Sequence, residues 1–135
     1  MISVPNREII DCRESLPLLM RLGFPARKSM ELANLIEVLD GQLRVIQHIR
    51  KPLIEKHSPV NKETNRPMPL KEGTPEHDAF VENFNAILDT EVELKCEPVV
   101  VVLKENQEIT PLMLFTLRHF IKVEIAENGS APKAP

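Results

Sequence analysis

The four histidines are the residues of this 135-residue chain best suited to metal binding or proton transfer. His77 lies between two acids, in the sequence Glu76-His77-Asp78. Three adjacent positions point to different sides of a helix, so these side chains cannot converge on one ion by themselves. A solvated first helical turn is the simpler interpretation, and we expect no metal site here.

The thiols, carboxylates and glycines show no catalytic arrangement. Cys12 and Cys96 each lack a second cysteine nearby, so we interpret both as reduced, half-buried core residues. Glu91, Glu93 and Glu97 share one face of a predicted strand, which is typical of a solvated surface. The glycines are isolated, which excludes a glycine-rich phosphate loop. We therefore expect no catalytic residue and no cofactor.

A group of basic residues near the middle of the chain favours binding over catalysis. Its members are Arg44, Arg50, Lys51 and Lys56. Cations at the C-terminal end of a helix are favourable by about 0.3–1 kcal/mol each, which explains such a group without any partner. The alternative is contact with an acidic protein surface, including that of a second copy of this chain. Residues 61–135 carry eight Lys/Arg against thirteen Asp/Glu and would offer such a surface.

Composition and charge exclude several classes of function. The net charge is −3, and residues 1–60 carry only nine Lys/Arg against seven Asp/Glu. Neither half has the strong basic excess of a nucleic-acid-binding protein. No apolar run approaches the roughly 18 residues that cross a membrane, and the N-terminus lacks a signal-peptide pattern. We expect a cytoplasmic protein that binds neither nucleic acid nor membrane.

The clearest structural pattern in the chain is a row of apolar residues that repeats about every 3.5 positions on average, as on the buried side of a helix. We call this row the apolar seam. The seam consists of Leu32, Ile36, Leu39, Leu43, Ile46 and Leu53, and a second row of Leu35, Val38, Val45 and Ile49 lies beside it. Together they make a face wider than a two-stranded coiled coil requires, so we expect packing against two neighbours, the first and third helices. The sequence leaves open whether this face is core or interface. The candidate partner-binding residues are Leu32, Leu35, Ile36, Leu39, Leu43, Ile46, Arg44, Arg50, Lys51 and Lys56.

Apolar periodicity predicts four helices, at residues 6–22, 25–57, 74–88 and 110–122. Asn6, Thr74 and Thr110 are the predicted N-caps. Pro17 predicts a kink or a break in the first helix, and Pro52 predicts a kink in the second, because proline removes a helical hydrogen bond.

Two strands and a long loop complete the predicted fold. The strands lie at residues 91–97 and 99–103, and the second, a continuous apolar run, is buried on both faces or lies at an interface. Residues 58–73, rich in proline, form a loop long enough to be functional or mobile. We expect a single domain over residues 1–126 and a flexible or partner-held tail at 127–135. The fold class is α+β, mainly α, with one long kinked helix packed with three shorter helices and a small sheet of two or three strands.

The first predicted helix begins with Asn-Arg-Glu-Ile-Ile at positions 6–10, and residues 44–55 lie near the end of the long helix. A helix at 80–88 is followed by Glu-Val-Glu-Leu at 91–94. In this order of elements, over roughly residues 6–94, it resembles a family of small phage-encoded proteins of unknown function. The resemblance implies a viral or prophage origin and a small accessory or structural role. It supplies no catalytic residues to carry over.

These observations favour a non-enzymatic phage or prophage protein that acts through protein–protein contacts. The first hypothesis is a virion structural or assembly component, a homo-oligomer or a partner of other virion proteins, located in the host cytoplasm during synthesis and then in the virion. The alternative is a host-directed factor that binds and modulates a bacterial enzyme. A third hypothesis is a small enzyme whose site is assembled from scattered residues such as His77, His119 and several glutamates. Stoichiometry separates the first two, because a structural protein forms symmetric homo-oligomers.

Overall fold

The computed structural model describes residues 1–126, and the tail predicted at 127–135 lies outside them. Within these residues the elements are β1 (Ile2–Pro5), α1 (Asn6–Met20), α2 (Ala26–His57), α3 (Pro75–Leu88), β2 (Glu91–Leu94), β3 (Val99–Lys104), α4 (Pro111–Leu117) and β4 (Ile121–Ala126). The predicted α+β class, mainly helical with one long helix and three shorter ones, is confirmed.

The strands form two separate two-stranded sheets instead of one small sheet. β1 pairs with β2 in antiparallel fashion, so that Ile2 lies beside Leu94. β3 and β4 are parallel, with Val99 beside Ile121. Parallel strands need a crossover connection, and α4 supplies it. The second half of the chain therefore ends in a βαβ unit.

The core lies where α1, the first half of α2 and the two sheets meet. Its most completely buried side chains include Ile9, Leu16, Leu19, Leu32, Leu39, Leu103, Leu117 and Phe120. α2 packs against both α1 and α3, as its wide apolar face predicted. A helix as long as α2 is stabilised by the burial of its apolar side chains against these two neighbouring helices.

Neither internal proline ends its helix. α1 continues through Pro17, so the predicted possibility of a break into two short helices is wrong. α2 continues through Pro52 to His57, in agreement with the prediction that Pro52 does not end this helix. Pro52 is exposed, so its ring and the lost hydrogen bond lie on the solvent side of α2.

The starts of α3 and α4 agree with the sequence prediction. The Thr74 hydroxyl accepts a hydrogen bond from the His77 N–H at 3.3 Å, and the Thr110 hydroxyl accepts one from the Met113 N–H at 3.2 Å. In both helices proline occupies the first turn. Threonine followed by proline thus starts each helix through contacts within four residues.

The predicted N-cap at Asn6 is wrong. Pro5 occupies the cap position, and no side chain caps α1. The Asn6 side chain is buried and donates instead to the Ile87 carbonyl oxygen at 2.9 Å, while its own oxygen accepts from the Gln42 side chain at 2.9 Å. Asn6, at the start of α1, is therefore hydrogen-bonded to the middle of α2 and to the end of α3. This role depends on tertiary contacts.

The strand predictions are corrected at four places. Residues 121–122, predicted as the end of a helix, begin β4, and β1 was not predicted. The predicted strand at 91–97 ends at Leu94. β3 is buried on one face only, because Val100 and Val102 are each 37% exposed. The valine run signals β-propensity there, and not burial on both faces.

Residues 58–73 form a loop that carries a small hairpin of its own. Val60 and Pro67 form an isolated antiparallel bridge, and the Asn61 N–H donates to the Arg66 carbonyl oxygen at 2.9 Å. The Asn61 side chain accepts from the Glu63 N–H. Asn65 lies in the left-handed region at φ 56°, a conformation that asparagine tolerates better than most residues.

Candidate functional site

The predicted seam of α2 contains no exposed residue. The exposed residues of α2 are concentrated at positions 44–57, which we call the exposed half of α2. Leu32, Leu35, Leu39 and Ile46 are at most 2% exposed, and Ile36 and Leu43 are half-buried. The four buried residues are therefore core and not interface, which corrects that part of the predicted interface, and Ile36 and Leu43 pack against the core from its border. The physical reason is that α1, α3 and the sheets cover this face of α2.

The exposed half carries a second apolar surface, which we call the α2 strip: Val45, Ile49 and Pro52. Val45 is 48% exposed and Ile49 is 40% exposed. Steps of four and three residues place the three side chains on one side of the helix. Val45 and Ile49 belong to the second predicted row and are its exposed members, and Pro52 extends the strip beyond that row.

The four predicted basic residues, Arg44, Arg50, Lys51 and Lys56, are all exposed on this same half of α2. None of them takes part in an ion pair within residues 1–126. The electrostatic effect of a helix terminus falls off within about one turn. It accounts for Lys56 in the last turn but not for the other three, which lie further from the end of α2 at His57.

Two open depressions follow the exposed half of α2, with volumes of about 310 and 560 Å³. Among the described residues, their linings come from α2 alone and include Leu43, Arg44, Gln47, His48, Lys51 and Ile54. A surface formed by one helix lacks the enclosure that small-molecule sites need. It fits contact with another protein better than capture of a substrate.

An acidic counterpart lies on α3, within the acidic half of the chain at residues 61–135. Asp78 and Glu82 are exposed, one helical turn apart, and neither forms an ion pair in the part of the chain that is described. We call this pair the α3 acidic face. The four-residue spacing was the signal that could have found it. The nearby Asp89 is different, because Arg7 pairs with it at 3.2 Å.

The histidines are dispersed over the molecule. His57 lies 3.1 Å from the Asn83 amide nitrogen, His119 lies 3.4 Å from Glu8, and His77 is the third residue of α3. Glu8 also pairs with Arg118, whose guanidinium lies 4.0 Å from the centre of the Phe115 ring. Across residues 1–126, no three His, Cys, Asp or Glu side chains are grouped so that they could hold a metal ion.

Cys12 is completely buried, and that burial raises the pKa of its thiol to about 12. Cys96 is half-buried, and burial raises its pKa as well. Since the thiolate is the reactive form, the buried Cys12 thiol is protonated and unreactive at pH 8. We expect iodoacetamide to label Cys96 in the folded protein and to leave Cys12 unlabelled.

Mass spectrometry of peptides after timed labelling measures both rates. The control is the same protein in urea, where both cysteines are expected to react at similar rates. Equal labelling of Cys12 and Cys96 in the folded protein would contradict the buried position of Cys12.

No helix within residues 1–126 combines the length and the apolar composition needed to cross a bilayer. No protein-family model, curated protein or solved structure matches this chain.

Proposed function

We propose that this chain is a non-enzymatic assembly protein that forms a homo-oligomer through the exposed half of α2. The observation that carries the proposal is the combination of an uncovered apolar strip with cations that have no partner within residues 1–126. Apolar contact area supplies affinity, and the surrounding charges supply orientation and a fast approach.

A second copy supplies the matching surface. Arg44 and Lys51 are seven residues apart and lie on one side of α2, and Asp78 and Glu82 lie on one side of α3. Contact between the basic residues of one copy and the α3 acidic face of another would pair opposite charges. In a two-fold dimer each copy makes this contact twice, once with each of its two surfaces.

A phage particle or its assembly pathway is the proposed setting, and the resemblance of residues 6–94 to small phage proteins supports it. The alternative, a host-directed factor, would use the same α2 surface on an acidic bacterial protein. The two differ in stoichiometry, because the alternative needs no contact between copies.

Light scattering on the full chain at several concentrations tests the proposal, with two charge-reversal variants. Arg44→Glu/Lys51→Glu reverses the basic residues, and Asp78→Lys/Glu82→Lys reverses the α3 acidic face. Each variant alone is expected to associate at least tenfold more weakly, because it places like charges opposite each other. An equimolar mixture is expected to restore association, since each variant complements the other.

Arg27→Glu is the matched control, because Arg27 is an exposed cation at the other end of α2 and forms no ion pair within the described residues. It changes the net charge in the same direction and should leave association unchanged. Wild-type protein that stays monomeric at every concentration would overturn self-assembly, and failure of the mixture to associate would overturn the proposed pairing.

A further inference from the structure

Within residues 1–126, the β3–β4 sheet has an unpaired edge along β3. The Val99 N–H donates to the Phe120 carbonyl oxygen at 2.8 Å, so the backbone polar groups of Val99 face β4. Backbone direction alternates along a strand of a parallel pair, and the N–H and C=O groups of Val100 and Val102 therefore face away from β4. No hydrogen bond to these four groups occurs within residues 1–126.

The end of this edge is closed by a turn. The Lys104 N–H donates to the Gln107 side-chain oxygen at 2.8 Å, and the Gln107 N–H donates to the Lys104 carbonyl oxygen at 2.9 Å. The unpaired edge is thus a short segment with two N–H donors and two C=O acceptors, at Val100 and Val102. A short strand lying beside β3 could form hydrogen bonds with all four of these groups.

Soluble proteins usually protect a free edge with lysine, proline or a bulge. β3 carries a lysine at its last residue, Lys104, and residues 99–103 before it are Val-Val-Val-Val-Leu, with neither lysine nor proline. β4, in contrast, carries Lys122 and Glu124 on its outer face. Parallel sheets also normally contain more than two strands, so the β3–β4 pair is unusually small. The β3 edge therefore has the properties of a pairing site.

We propose that β3 pairs with β3 of a second copy, antiparallel and across a two-fold axis. The result is a continuous four-stranded sheet in the order β4, β3, β3, β4. Val100 would lie opposite Val102 of the second copy, and their backbones would exchange two hydrogen bonds. The symmetry-related pair would add two more, which makes four in all. Val101 would lie opposite its own equivalent on the two-fold axis.

The occupant is a second copy because this register is complementary to itself. Val99 would lie opposite Leu103 of the second copy, and each Lys104 would lie opposite Pro98, so no like charges meet between the paired strands at residues 98–104. Every apolar residue of the strand gains an apolar neighbour, including the half-exposed Val100 and Val102. This contact is separate from the α2 surface, and two different contact surfaces can build an assembly larger than a dimer.

Analytical ultracentrifugation in the Arg44→Glu/Lys51→Glu background tests the contact without the α2 surface. In this background the proposed function predicts weak association, whereas β3 pairing predicts a dimer. Adding Val102→Pro removes one N–H that faces the free edge and leaves the bonds to β4 in place. We expect this change to weaken the dimer at least tenfold. The matched control is Val123→Pro, which removes an N–H on the opposite edge of the sheet, at β4, and should leave the dimer unchanged.

Hydrogen exchange in the protein without the proline substitutions provides a measurement that does not depend on their folding. The amides of Val100 and Val102 should exchange at least tenfold more slowly at high concentration than at low concentration. β3 pairing would be overturned if these amides exchanged fast at both concentrations. It would also be overturned if ultracentrifugation showed only a monomer, or if the dimer were lost with Val123→Pro and retained with Val102→Pro.

Discussion

Leu39→Asp is expected to unfold the protein. Leu39 is 0% exposed and lies in the core between α2 and its neighbours. Removal of a buried leucine side chain costs about 2–5 kcal/mol, and burial of an unpaired carboxylate adds several kcal/mol. The sum is comparable to the whole stability of a typical domain, about 5–15 kcal/mol. Circular dichroism and urea unfolding would measure the loss of helix and of the cooperative transition.

Val45→Asp is the matched control for this prediction. Val45 lies on the same helix, was predicted in the same apolar face, and is 48% exposed. The variant is expected to fold with a free energy of unfolding within about 0.5 kcal/mol of wild type, as for most surface substitutions. Because Val45 belongs to the α2 strip, the same variant should weaken self-association. A folded, monomeric Leu39→Asp protein would show that the seam is an interface and not core.

Asn6→Ala is expected to lower the free energy of unfolding by about 2–4 kcal/mol. The substitution removes the hydrogen bonds to Ile87 and from Gln42 at once. Asn6 is only 4% exposed, so water cannot easily replace them, and the Ile87 carbonyl oxygen loses its side-chain donor. Urea unfolding with linear extrapolation would measure the change.

Gln42→Ala separates the two bonds of Asn6. It removes one of them and retains the bond to Ile87, so the loss should be smaller, about 1 kcal/mol. In the double variant the two losses should not add, because both include the Asn6–Gln42 bond. If Asn6→Ala unfolds at the same urea concentration as wild type, Asn6 does not join the three helices as described.

Much of the fold follows from local sequence. Threonine followed by proline places the starts of α3 and α4, because the cap hydrogen bond spans only three residues. The apolar repeat predicts α2 at nearly its full length, since a helix period is visible wherever one side is covered. The basic residues of the candidate site were also found in this way, since their exposure follows from their charge.

Local patterns were enough to predict the four helices apart from the end of α4, the mainly helical α+β class and the basic residues on the exposed half of α2. Contacts between distant elements select which apolar residues of α2 are core, since Leu39 and Val45 differ in what lies beside them and not in periodicity. They also decide that Asn6 bonds to α2 and α3, and that the chain after α4 forms β4 beside β3. The physical reason is that burial and strand pairing depend on residues far away along the chain, whereas helix starts and helix periods depend on near neighbours.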